Sequence, residues 1–62
     1  MNVKDLKDEY LGRYIKVTDT FYTYIGILVR EGNADNPDYA FVSVNDYWVR
    51  GFFDFDVIEF VE

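Results

Sequence analysis

The chain has no cysteine and no histidine, and only one proline, one methionine and one tryptophan among its 62 residues. Without cysteine there are no disulfides and no thiolate chemistry, and without histidine the usual neutral-pH proton shuttle and the ordinary zinc ligands are gone as well. No apolar run is long enough to span a bilayer and no signal-peptide pattern opens the sequence, so the expected location is the cytoplasm, away from any membrane. Basic residues are scarce in one half only. Residues 31–62 hold eight acids against Arg50 alone, while residues 1–30 hold five bases and four acids, and the whole carries a net charge of -6. A surface of that sign repels phosphate, which argues against direct contact with nucleic acid or an anionic membrane and in favour of a basic protein partner.

Aromatic rings are abundant: six Phe, six Tyr and one Trp. A chain this short buries only about 60% of the surface its unfolded form exposes, so large side chains must supply the core. One domain spanning residues 1–62 is expected.

Residues 2–12 read as a short helix. Asn2 and Asp5 have capping-box spacing, Val3, Leu6 and Tyr10 recur on one face, and Gly12 stands just past the end. Residues 14–18 alternate as a first strand, with Ile15 and Val17 inward. Residues 22–30 form the longest strand, with Ile25, Ile27 and Val29 inward and Tyr22, Tyr24 and Leu28 on the other face. Gly26 sits mid-strand, where a missing side chain permits a bend or the approach of another backbone. Glu31 to Asp38 reads as a loop, broken by Gly32, Asn33, Asn36 and Pro37 and lacking the spacing of a calcium-binding loop. Residues 39–45 follow, with Ala40, Val42 and Val44 inward, and Asn45-Asp46 turns the chain into a strand over 47–53. In the last stretch the alternation changes phase, from Phe53, Phe55 and Val57 at odd positions to Ile58 and Phe60 at even ones. That marks a turn near Asp54 to Val57 and a closing strand at 58–61. Short strands joined without intervening helices describe a mainly β, antiparallel five-stranded barrel.

The rhythm of Trp48 to Val61 resembles the end of an SH3 domain. Gly51-Phe52-Phe53 stands where that family has a glycine and an apolar pair, and Ile58-Glu59-Phe60-Val61 where it has its last strand. The polyproline-groove residues of the family are replaced here by Asp54, Asp56 and Val57, so the resemblance implies an SH3-like small barrel without that peptide site. Leu11 to Val29 is similar to the opening of an Sm-like domain, but the uridine-binding Asp and Asn expected after its second strand are missing.

Catalytic residue types are few. Asp54, Asp56 and Glu59 could form a paired acid site, but so small a domain has little room for a water-excluding pocket, and the expectation is a protein that is not an enzyme, with no cofactor and no metal. Aromatics in excess of the core suggest an interface instead, with Tyr22, Tyr24 and Trp48 supplying contact area and Asp35, Asp38, Asp46, Asp54, Asp56 and Glu59 selecting a basic partner. The leading expectation is a small acidic inhibitor or regulator, of the kind carried by phages and mobile elements, that docks on a basic surface of another protein. A nucleic-acid-binding enzyme is one such target, its phosphate sites imitated by the carboxylates. The alternatives are a homo-oligomeric assembly module and a nucleotide binder with its site between subunits.

Overall fold

The computed structural model describes residues 1–33 and 36–61, with side chains described outside 32–37. Five antiparallel strands, β1 (Tyr14–Thr18), β2 (Thr23–Asn33), β3 (Asn36–Ser43), β4 (Val49–Gly51) and β5 (Val57–Phe60), form one sheet in the order β4-β3-β2-β1-β5. This mainly β architecture is consistent with the SH3-like arrangement that the closing stretch resembles. The sheet is not closed by hydrogen bonds, so β4 and β5 are its two edges. No helix is long and apolar enough to cross a membrane.

Register fixes which face is inside. Ile15 pairs with Gly26 and Val17 with Tyr24, while Leu28 pairs with Phe41. Directly paired residues share a face, so Tyr24, Gly26 and Leu28 of β2 and Phe41 and Ser43 of β3 join Ile15 and Val17 on the inner side. The core is Ile15, Val17, Leu28, Phe41 and Ile58, capped by Leu6. This corrects the expected inward set on β2 and β3, of which Ala40 alone is buried. Ile27, Val29, Val42 and Val44 are only half-buried, and Ile25 and Phe53 are exposed. The register against β1 selects the face that carries Leu28 and Phe41, and on that face Gly26 lets the Phe41 ring and the Val42 carbonyl approach closely. A Cβ there would lie 2.7 Å from the Val42 carbonyl oxygen and 2.8 Å from Phe41 Cδ2.

The expected helix over 2–12 is instead two 3₁₀ turns, Val3–Asp5 and Asp8–Tyr10, with extended backbone at Leu6 and Lys7 between them. A helix this short repays its nucleation cost poorly, and the break lets Leu6 enter the core while Val3 and Tyr10 pack against it. The Asp5 carboxylate accepts a hydrogen bond from Asn2 N at 3.0 Å. Gly12 follows the second turn at φ 86°, a conformation open to glycine at little cost. Asp8 then ties this segment to the sheet by accepting from Arg30 Nη1 at 2.5 Å and from the Tyr39 hydroxyl at 2.6 Å.

The loop expected over 31–38 is mostly ladder. Glu31 pairs with Asp38, Gly32 with Pro37 and Asn33 with Asn36, so the antiparallel β2–β3 pairing overrides the local breaking tendency of Gly32, Asn33, Asn36 and Pro37. The strand expected over 47–53 shrinks to β4. A turn closed by Asp56 N donating to Phe53 O at 3.0 Å leads into β5, whose Ile58 and Phe60 face inward at the predicted even positions. On its outer side β5 meets Met1: the Ile58 amide donates to Met1 O at 2.8 Å and the Met1 ammonium to Ile58 O at 2.6 Å.

Candidate protein-binding surface

Two turns at one end of the sheet build the most structured surface feature. After β1, the Asp19 carboxylate accepts from Phe21 N at 2.8 Å and from Tyr22 N at 2.7 Å, while Asp19 N donates to Tyr22 O at 2.9 Å. An aspartate bonding its own downstream amides is the local device that makes this turn, and it presents Tyr22 beside Tyr24, ring centroids 6.2 Å apart. After β3, Tyr47 N donates to Ser43 O at 3.0 Å, Ser43 N donates to Trp48 O at 2.9 Å, and Tyr47 takes φ 58°. That turn lays Trp48 edge-on to Tyr24 at 5.3 Å and against Phe41 at 5.7 Å. Between the turns runs an open groove of about 390 Å³ lined by Tyr22, Tyr24, Ile25 and Trp48, with Asn45 and Asp46 among its polar residues.

Beneath the groove lies a charged cluster. Arg50 pairs with Phe41 across β3 and β4 and therefore points inward. Its guanidinium stands 5.2 Å from the Tyr24 ring and 5.1 Å from each of the Phe41 and Phe53 rings. Nη1 donates to Asp56 Oδ2 at 3.1 Å and to Gly51 O at 2.9 Å, Nη2 donates to Asp56 Oδ1 at 3.4 Å, and Asp19 Oδ2 is 3.6 Å from Nη2. Arg50 thus links the β4 edge, the turn before β5 and the turn after β1. The backbone hydrogen bonds from Tyr22 and Phe21, with the nearby Arg50 charge, hold the Asp19 carboxyl below its ordinary pKa. Burial, with Asp19 beside it, pushes the Tyr24 hydroxyl above the ordinary tyrosine value.

The acids expected to meet a partner are dispersed. Asp46 is exposed at the groove, next to Tyr22, Tyr24 and Trp48. Asp38 and Asp54 are exposed and line a different depression with Val3 and Phe52. Glu59 lies 3.7 Å from Lys16 on the β1–β5 ladder. Asp35 falls outside the described residues. Asp56 requires a correction: it has no exposed surface, and it accepts from Phe53 N at 2.8 Å as well as from Arg50, so its carboxylate is spent inside the fold. Its place in an alternating polar stretch gave no sign of this, because only the turn's curvature aims it inward.

Sequence reasoning missed three features. Phe21 is 84% exposed and Tyr47 78%, so both extend the aromatic surface at the two turns. Phe53 and Phe55 stack face to face at 5.3 Å while remaining more than half exposed. Arg50 is the third, and its signal was present as the lone base in an acidic half. Among the described residues no three acidic side chains are grouped to hold a metal ion.

Comparison with known proteins gives no match: no family model, no curated protein and no solved structure aligns significantly with the chain.

Proposed function

We propose that this chain is a non-enzymatic binding protein that docks on a basic surface of another protein, acting as a small inhibitor or regulator of the kind phages and mobile elements carry. The observation that supports it is an asymmetry in how charge is used. Lys16, Arg30 and Arg50 each pair with a carboxylate of this chain, whereas Asp38, Asp46 and Asp54 have no such cation among the described residues. Lys16, Arg30 and Arg50 are engaged by the chain's own carboxylates, while Lys4 and Lys7 stay exposed on the N-terminal segment and Asp38, Asp46 and Asp54 face water, beside exposed aromatics that carry binding energy well. Imitation of a row of phosphates is the weaker form of this reading, since Asp56 is buried and the remaining acids lie on separate surfaces. The test is binding of the immobilised protein to a panel of basic and acidic proteins of similar size, followed by a salt gradient. Retention confined to basic proteins and lost as salt rises supports the reading, and retention that ignores charge or survives high salt overturns it.

The stacked, exposed Phe53 and Phe55 favour one second reading, assembly of copies of this chain through the turn before β5. Sedimentation of the parent against a Phe53→Ser/Phe55→Ser variant decides it, because that reading requires a dimer or larger species in the parent alone.

A further inference from the structure

The groove between Tyr22 and Trp48 has one charge on its walls, the Asp46 carboxylate, and no base. The cluster beneath it adds to that sign, since Arg50 is flanked by both Asp19 and Asp56. Within the same molecule a guanidinium already rests over the rings of Tyr24, Phe41 and Phe53 and pairs with a carboxylate, which shows what chemistry these rings and acids accommodate. Resting on the reading of the chain as an acid-presenting binding protein, we propose that this groove receives one arginine or lysine side chain of the partner. The apolar stem lies across Tyr22 and Trp48, and the charged head meets Asp46. Cations are drawn to the faces of tyrosine and tryptophan, and the long methylene stem of such a side chain covers apolar surface while its head stays near water. A second copy of this chain is a poor occupant, because each copy carries a net charge of -6 and two such surfaces repel.

The lone tryptophan provides the readout, because Trp48 gives one indole N–H resonance. Isotope-labelled protein is titrated with an acetylated and amidated Gly-Ser-Arg-Ser-Gly peptide, with its lysine and glutamate counterparts, and with polylysine. The arginine and lysine peptides are expected to shift the Trp48 indole signal and the amides of Tyr22 and Asp46, the glutamate peptide to leave them in place, and Asp46→Lys to weaken the effect at least about tenfold. Tyr22→Ala, at an exposed position that leaves the core intact, is expected to reduce it as well. If polylysine binds in a salt-dependent manner but shifts signals elsewhere and leaves Trp48 unmoved, the groove assignment is overturned while the acidic binding reading stands. If neither the peptides nor polylysine bind, both fall. A glutamate peptide that shifts Trp48 as far as the arginine peptide also overturns the assignment.

Discussion

Arg50→Met is the perturbation that probes the fold most directly. The new side chain keeps roughly the length that packs on the rings of Tyr24, Phe41 and Phe53, but it removes the cation from a carboxylate with no exposed surface. Leaving a buried charge without its partner costs about 3–5 kcal/mol. A domain of this size has roughly 3–9 kcal/mol of stability in total, at about 0.05–0.15 kcal/mol per residue. The single variant should therefore lose about a third of its stability or more, and its urea midpoint should fall by about 3–5 M at a slope near 1 kcal/mol per molar. Arg50→Met combined with Asp56→Asn removes the stranded charge and keeps an oxygen for the Phe53 amide, whose bond to Asp56 is 2.8 Å. The double variant should be more stable than Arg50→Met alone by about 2 kcal/mol, because the pair's own net worth is small and the cost of the single change is mostly desolvation. Equilibrium urea unfolding followed by Trp48 fluorescence measures all the corners of the cycle. An Arg50→Met protein within about 1 kcal/mol of the parent, or single effects that simply add in the double, would refute the claim that this pair ties β4 to the turn before β5.

Gly26→Ala should destabilise by about 1–3 kcal/mol, since the added methyl has a backbone carbonyl on one side and the buried Phe41 ring on the other, and thermal unfolding reads it. Tyr47→Gly should raise stability by about 0.5–1 kcal/mol by relieving a left-handed backbone, an unusual result for removing an aromatic side chain, and chemical denaturation will show its sign. Because the Asp19 carboxyl is held below its ordinary 3.8, its ionised form stabilises the fold at higher pH; this contribution is lost as pH falls below about 3.8 through the folded value, and Asp19→Asn should flatten that part of the acid-unfolding profile. Tyr24 and Tyr39 sit above the ordinary 10.0, Tyr39 chiefly through its hydrogen bond to Asp8, so their neutral forms stabilise the fold below pH 10 and that support is lost as pH rises beyond it; ultraviolet titration should show both ionising late.

Much of the fold was legible because strand order and strand phase are local properties. Alternation in Tyr14–Thr18 placed Ile15 and Val17 correctly, the phase change after Val57 placed Ile58 and Phe60, and Gly26 was legible as a site of either a bend or a close backbone approach, of which the Val42 carbonyl shows the second. The faces of β2 and β3 were not legible. Both sides of those strands are apolar, so alternation offers two solutions, and only the register against β1 selects the one with Leu28 and Phe41 inside. The candidate site divides in the same way. Tyr22, Tyr24, Trp48 and Asp46 come together because two tight turns lie at one end of a meander, which their spacing foreshadows. Asp56 could not be told from Asp54 in the sequence, since the two sit in nearly the same context and differ only in the side of a turn to which they point.

Both rims of the sheet are guarded. An unpaired strand rim is a template on which further chains can add and grow into fibres, and a chain with so many rings would be especially prone to it. Here β4 is only three residues long, and the Arg50 guanidinium takes up Gly51 O. The outer side of β5 is met at its centre by the backbone of Met1. Contacts with other molecules are thereby directed to side chains on the turns, so that a surface rich in aromatics can serve recognition without inviting runaway strand-by-strand growth.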